Sequence, residues 1–347
     1  MAARRRRGSA AAVALTAALG VGSALLLSAC GPEVPAPGAT ATASGPTAAG
    51  SAVPGSATPS AGHSGTPGKS PAPVPAHGTG VPHLTVSNGT SQVLLDNSTV
   101  DFHTAVRDLA WSPDGSKAAF IDGAGNLVVS NPDGTGKVVA AKNPGGQTWS
   151  HPTWQVTHED TVNHVPVKNN LFFVVDQGGA TRLVAVPANG SNSTPAPLSL
   201  YREADDNPTP LPQTGNVWPN ASGKVGAAVY ANTGDGKVYI RDDYLRQQGG
   251  ELTQGSQPAL GPDELSVVFV RSVGGHDHLF EWQRGTDKPT VKDLTPNATT
   301  DYTEPAWSPD GKQLAARTPN GIVTLPADGS AAPKPTAATP GLPAYRP

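Results

Sequence analysis

Ala110-Trp111-Ser112-Pro113-Asp114-Gly115-Ser116-Lys117-Ala118-Ala119 and Ala306-Trp307-Ser308-Pro309-Asp310-Gly311-Lys312-Gln313-Leu314-Ala315 are two copies of one phrase. The turn chemistry gives its meaning. Proline presets φ at the second turn position, aspartate tolerates the third, and glycine accepts positive φ at the end. Such a turn joins two antiparallel strands. Each copy runs on through an apolar stretch, a glycine turn, a second stretch and a second Asp-Gly. In the first copy these are Gly123-Ala124-Gly125-Asn126, residues 127–131 and Asp133-Gly134. In the last they are Pro319-Asn320-Gly321, residues 322–325 and Asp328-Gly329. One copy therefore reads as four short strands, in the first case Arg107–Trp111, Lys117–Asp122, Leu127–Asn131 and Lys137–Ala141. Short strands with turns every 8–12 residues indicate an all-β sandwich, barrel or propeller, and four strands per roughly 40–45-residue repeat select the propeller.

Weaker copies open at His151-Pro152-Thr153-Trp154, at Val217-Trp218-Pro219-Asn220 and at Gln257-Pro258-Ala259-Leu260. The position of Trp111 and Trp307 is thus filled by Trp154, Trp218 and Leu260, and core packing between blades is the expected role. Residues 84–347 divide into about six such units. Five have their own openings. The sixth is expected to be shared between the ends, Leu84–Ser87 and Gln92–Leu95 supplying outer strands and Pro343–Arg346 the inner one. Sharing a blade hides an edge that would otherwise aggregate. Five blades with a loose C-terminus is the alternative.

The Trp-Ser-Pro-Asp-Gly repeats, with Trp111, Pro113, Asp114, Gly115, Trp307, Pro309, Asp310 and Gly311 as their structural residues, resemble the propeller repeats of the TolB family. That resemblance implies a six-bladed ring and a partner-binding, periplasmic type of role. The α/β domain that precedes the ring in that family has no counterpart here.

The N-terminus takes its place. Arg4, Arg5, Arg6 and Arg7 precede an apolar run from Ala10 to Leu27, the order of an export signal. The run ends in Leu27-Ser28-Ala29-Cys30, which resembles the lipobox of bacterial lipoproteins, and Cys30 is the only cysteine of the chain. The resemblance implies cleavage before Cys30 and a covalent diacylglycerol, with palmitate-type chains, on its thiol. Of residues 31–80, 43 are Ala, Pro, Gly, Ser or Thr, and none is aromatic. Such a segment buries too little apolar surface to offset the entropy of ordering and reads as a tether. His63 and His77 within it are expected to be solvated. The expected organisation is 1–29 signal peptide, 30–82 lipidated cysteine and tether, and 83–347 propeller. The mature chain is then exported and lipid-anchored to the outer face of the cell membrane.

Composition excludes other classes. The 347 residues carry 40 glycines, 36 prolines, 15% charged residues and a net charge of −3. Coiled coils, helical arrays and nucleic-acid binders held by a basic face do not read this way. One cysteine leaves no disulfide framework.

Chemistry-bearing motifs are few. The prolyl-oligopeptidase-type hydrolases that resemble such propellers add a domain with Gly-x-Ser-x-Gly, which does not occur in the chain. A Walker-type loop is also absent, and Gly145-Gly146 and Gly274-Gly275 read as hairpin turns. An insertion at 156–168 holds His158, Glu159, Asp160 and His164, with His151 just before it. Those donor types suit a divalent metal, but the spacing fits no zinc helix and a solvated loop is expected. His276 and His278 alternate on one strand face. Asp133, Asp235 and Asp328 read as hairpin turns, without the ligand ladder of an EF-hand. Asp205-Asp206 and Asp242-Asp243 suggest an acidic rim or solvated loop carboxylates. We therefore expect no catalytic residue, no metal and no cofactor beyond the lipid on Cys30. The chain reads as a monomeric, non-enzymatic interaction module for an unidentified protein, peptide or cell-envelope component. A small-ligand sensor or metal-assisted enzyme using the funnel is the alternative.

Overall fold

The computed structural model describes residues 78–203, 207–221, 223–244 and 248–347. The lipobox residues Leu27, Ser28, Ala29 and Cys30, the tether histidines His63 and His77, and the pair Asp205-Asp206 lie outside the described residues. Among those described, the secondary structure is entirely strands, turns and bends.

Twenty-four strands form six antiparallel four-stranded sheets. Blade 1 holds β4 (Arg107–Trp111), β5 (Ala118–Ile121), β6 (Leu127–Ser130) and β7 (Val138–Ala141). Blade 2 holds β8 (Thr148–Thr157), β9 (Lys168–Gln177), β10 (Ala180–Pro187) and β11 (Ala196–Pro197). Blade 3 holds β12 (Asn216–Ala221), β13 (Ala228–Asn232), β14 (Lys237–Arg241) and β15 (Gly249–Gln254). Blade 4 holds β16 (Ser256–Leu260), β17 (Ser266–Val273), β18 (His276–Gln283) and β19 (Thr290–Asp293). Blade 5 holds β20 (Thr303–Trp307), β21 (Gln313–Thr318), β22 (Gly321–Pro326) and β23 (Lys334–Ala337). The sixth blade is assembled from both ends: β24 (Leu342–Tyr345) is its inner strand, and β1 (Leu84–Ser87), β2 (Gln92–Leu95) and β3 (Ser98–Asp101) follow outward. Leu84 pairs with Tyr345 and Ser87 with Leu342. The innermost strands β4, β8, β12, β16, β20 and β24 touch one another in that cyclic order. This is a closed six-bladed propeller, with the shared blade that the terminal Pro-Ala-Tyr predicts.

The apolar core is split among the seams between blades. Each of six buried clusters joins two neighbours, for example Ile121 and Leu127 of blade 1 with Trp154 and Leu171 of blade 2. Trp111, Trp154, Leu260 and Tyr345 sit buried in these seams. The indole Nε1 of Trp154 donates to Ala110 O at 3.2 Å, and that of Trp307 to Ala259 O at 3.1 Å, each reaching the preceding blade. Trp111 Nε1 likewise donates to Thr85 Oγ1 of blade 6 at 3.0 Å.

Trp218 departs from the expected pattern. It is half-buried and lies outside the seam; Ala221 holds the equivalent place, two residues after Pro219, as Trp154 and Trp307 follow Pro152 and Pro305. Among the described residues no indole crosses the seam there; Thr153 Oγ1 of blade 2 accepts from Ala221 N at 2.9 Å. Asn220 Oδ1 does the same for Leu260 N at 2.9 Å.

The Ser-Pro-Asp-Gly turns close as their chemistry demands. Gly115 (φ 66°) and Gly311 (φ 69°) donate to Ser112 O and Ser308 O. Asp114 and Asp310 accept from the serine hydroxyls two residues earlier and from backbone N–H groups two residues later.

Candidate functional site

The inner strands share a second regularity. In five of them the pairing register shifts near the start, a β-bulge between residues 107 and 110, 150 and 153, 217 and 220, 256 and 259, and 303 and 306. At each bulge one non-glycine residue takes the left-handed conformation, with φ of 49–56°: Asp108, His151, Trp218, Gln257 and Glu304. Bulges of this kind re-aim a side chain at the rim of a barrel or ring. All six inner strands line one central channel of about 400 Å³, to which His151, Trp218, Gln257 and Glu304 contribute directly.

Two of the bulge residues hold their neighbours in place. Asp108 Oδ2 accepts from His151 N at 3.1 Å, and Gln257 Oε1 accepts from Glu304 N at 2.7 Å. In each case the side chain of one blade caps the strained backbone of the next. His151 and Glu304 belong to blades 2 and 5, opposite one another in the ring. Their side chains meet across the channel, His151 Nε2 lying 3.5 Å from Glu304 Oε1. His151 Nδ1 lies 4.0 Å from Asp108 Oδ2, and the indole of Trp218 stands edge-to-face to the imidazole at 6.4 Å. The side chains of His151, Asp108 and Glu304 remain 24%, 23% and 19% exposed, so solvent reaches this end of the channel.

The other end is narrowed by the turns. Pro113 of blade 1 lies against Gly223 of blade 3, where an added Cβ would come within 2.2 Å of the proline Cβ.

Burial alone lowers the pKa of His151, but its hydrogen bond to Glu304 and the charges of Glu304 and Asp108 outweigh that, and the net shift is upward from 6.5. A raised folded-state pKa contributes stability that is complete below pH 6.5 and is lost as pH rises through the higher folded value. The melting temperature is therefore expected to decline as pH rises above 6.5, and His151→Gln to remove that part of the decline. Identical pH profiles for the two proteins contradict the pairing.

The remaining candidates fall elsewhere. His158 and His164 are exposed in the insertion, while His151 is drawn away into the channel. Asp160 organises the insertion by accepting from Val162 N and Asn163 N, and it takes the Tyr244 hydroxyl of blade 3. His276 pairs with Asp301, and the buried His278 with Asp293 at 3.0 Å. Asp133, Asp235 and Asp328 precede turn glycines of positive φ.

Of the pair Asp242-Asp243, Asp243 takes no part in an acidic rim, while Asp242 is half-buried and accepts from Tyr244 N. Asp243 is 7% exposed and receives Arg241 at 2.9 Å, Lys168 at 3.1 Å and Gln155 Nε2 at 2.5 Å. Charge neutralisation within the seam of blades 2 and 3 holds it there, away from the surface.

No family model matches the sequence, and no curated protein matches it. Solved structures do. TolB from Acinetobacter baumannii is 16% identical with a TM-score of 0.50, over 76% of this chain and 66% of that one. Hydrazine synthase of Kuenenia stuttgartiensis is 17% identical with a TM-score of 0.51, over 72% of this chain and 42% of that one. A putative TolB from Agrobacterium tumefaciens is 16% identical with a TM-score of 0.49, over 74% and 89%. The chain thus spans under two thirds of the first two proteins, and the likeness is one of fold: a TolB-like six-bladed propeller.

Proposed function

We propose that the chain is an exported, lipid-anchored binding module whose propeller channel receives part of a partner, a protein, a peptide or a component of the cell envelope. The observation that carries this is the bulge ring. His151, Trp218, Gln257 and Glu304 come from four blades and converge at the solvent-reached end of one cavity, and Asp108 of a fifth blade holds the backbone of His151 there. Convergent polar groups and an aromatic at a concave site suit recognition. The TolB-like fold is in keeping with an interaction role. The Leu27-Ser28-Ala29-Cys30 lipobox and the 31–80 tether support the anchor.

A photo-crosslinking residue in place of Trp218, in intact cells, is expected to capture a polypeptide or envelope component. The same residue at exposed Val273, on the β17–β18 hairpin, is expected not to. Equal capture at the two positions contradicts the channel. Cys30→Ser is expected to release the protein from the membrane fraction. A variant that stays membrane-bound with its signal removed refutes the lipid anchor.

The pairing of His151 with Glu304 and Asp108 also favours a second reading, a small-ligand sensor. Capture of no macromolecule at Trp218, with protection of that position by a small-molecule cell extract, would select it.

A further inference from the structure

We propose that the channel mouth is a receptor for one cationic side chain of the partner, a lysine ammonium or an arginine guanidinium, and that protonated His151 occupies its place in the free protein. The inference rests on the channel reading above and names the chemistry of its ligand.

The electrostatics are one-sided. Among the bulge residues, Asp108 and Glu304 each bring a negative charge and His151 brings one positive charge or none; Trp218 and Gln257 are uncharged. The mouth therefore carries −1 with His151 protonated and −2 with it neutral. The charges acting on His151 are those of Glu304 and Asp108; the lysine that lines the cavity, Lys224, follows Gly223 at its narrowed end and acts on Glu264. The sixth inner strand contributes Leu342, which is also neutral.

The imidazole is a loose fit between its carboxylates. It lies 3.5 Å from Glu304 and 4.0 Å from Asp108, against about 2.7–2.9 Å for a good charge-assisted hydrogen bond. The backbone at His151 and Glu304 is fixed by Asp108 and Gln257, so the carboxylates are positioned while the group between them is exchangeable. A lysine or arginine carries its charge on a longer, flexible stem and presents three to five donors where the imidazolium presents two. Trp218, at 6.4 Å from the imidazole, stands beside the position and can pack against the apolar stem of the incoming side chain.

The cation and the proton on His151 compete for the same two carboxylates, so binding expels the proton. Affinity is then expected to rise by about tenfold per pH unit below the pKa of His151 and to level off above it.

The test uses the whole folded chain and three capped tripeptides, Gly-Lys-Gly, Gly-Arg-Gly and Gly-norleucine-Gly, followed by the His151 imidazole NMR signals and Trp fluorescence from pH 5.5 to 8.5. The lysine and arginine peptides are expected to bind more tightly as pH rises and to lower the apparent pKa of His151; the norleucine peptide is expected to do neither. Glu304→Gln keeps the shape and is expected to weaken binding about ten- to a hundredfold. His151→Gln is expected to bind at pH 6 as tightly as the parent does at pH 8. Equal binding of the norleucine peptide, or no response to either cation at any pH, overturns the inference. If the Trp218 crosslinker still captures a partner in that case, the channel reading stands and only the ligand chemistry is wrong. Affinity that falls with rising pH overturns the competition with His151.

Discussion

Tyr345→Ala is expected to lower the stability of the propeller by about 3–5 kcal/mol, the usual cost of emptying a buried aromatic site, and its melting temperature by roughly 6–20 °C for a domain of this size. Tyr345 is 9% exposed and packs with Leu84, Val86 and Leu94 of its own blade and with Ala315 and Ile322 of blade 5. It therefore holds the seam and the shared blade together. The ties beyond it are specific: Arg346 N donates to His83 O, Arg346 Nε to Gly115 O at 2.9 Å, and the guanidinium lies 5.2 Å from the ring of Trp111. Deleting 342–347 removes all of these and leaves β1 without its inner neighbour, so the cooperative transition of the ring is expected to be lost. Tyr345→Phe separates volume from polarity. The hydroxyl is buried without a hydrogen-bond partner, and burial pushes its pKa up to about 12, with Asp310 adding to the shift. Removing an unpartnered buried hydroxyl is expected to be neutral or stabilising. Calorimetric melts of the three variants check this. A Tyr345→Ala protein that melts like the parent would show that β24 does not close the ring.

Asp243→Ala is expected to be as damaging through charge as Tyr345→Ala is through volume. The carboxylate is the common partner of Lys168, Arg241 and Gln155, and the two cations are only 18% and 20% exposed. Its loss leaves both without a counter-charge in a seam, which costs about 3–5 kcal/mol when a buried pair is broken from one side. Asn170 Nδ2 donates to Gln155 Oε1 at 2.9 Å, so the disturbance reaches β9 as well. The double variant Asp243→Ala with Lys168→Met is expected to recover part of the loss, because it removes a stranded cation. Urea titration measures this as a lower midpoint at unchanged slope. A cost below about 1 kcal/mol, the range of exposed ion pairs, contradicts a buried ion cluster.

The two features differ in how far the sequence discloses them. The closing strand was readable because its Pro343-Ala344-Tyr345 repeats the Pro305-Ala306-Trp307 opening, and because the turn at Ser112-Pro113-Asp114-Gly115 needs particular residue types. Asp243 was not, since its partners Gln155 and Lys168 lie 88 and 75 residues away in the chain, and a neighbouring Asp242 makes the pair look like a surface cluster. The channel ring was hidden for a different reason. Asp108, His151, Trp218, Gln257 and Glu304 share a backbone conformation and no side-chain chemistry, and residue comparison registers only the latter. Trp218 matches the seam residues by type, but it stands before Pro219 as His151 precedes Pro152 and Glu304 precedes Pro305, and that position is the signal of the channel.

The shared blade also sets a schedule. β1 to β3 emerge from the ribosome or the export channel well before their inner neighbour, which follows 259 residues later, with Leu84 waiting for Tyr345. Contacts this distant in sequence form slowly, and an unpaired strand edge attracts other chains meanwhile. A polypeptide stopped short of residue 342 would keep that edge open for good. Ring closure thus depends on synthesis passing Tyr345: only a chain that holds residues 342–345 has the strand that locks the circle.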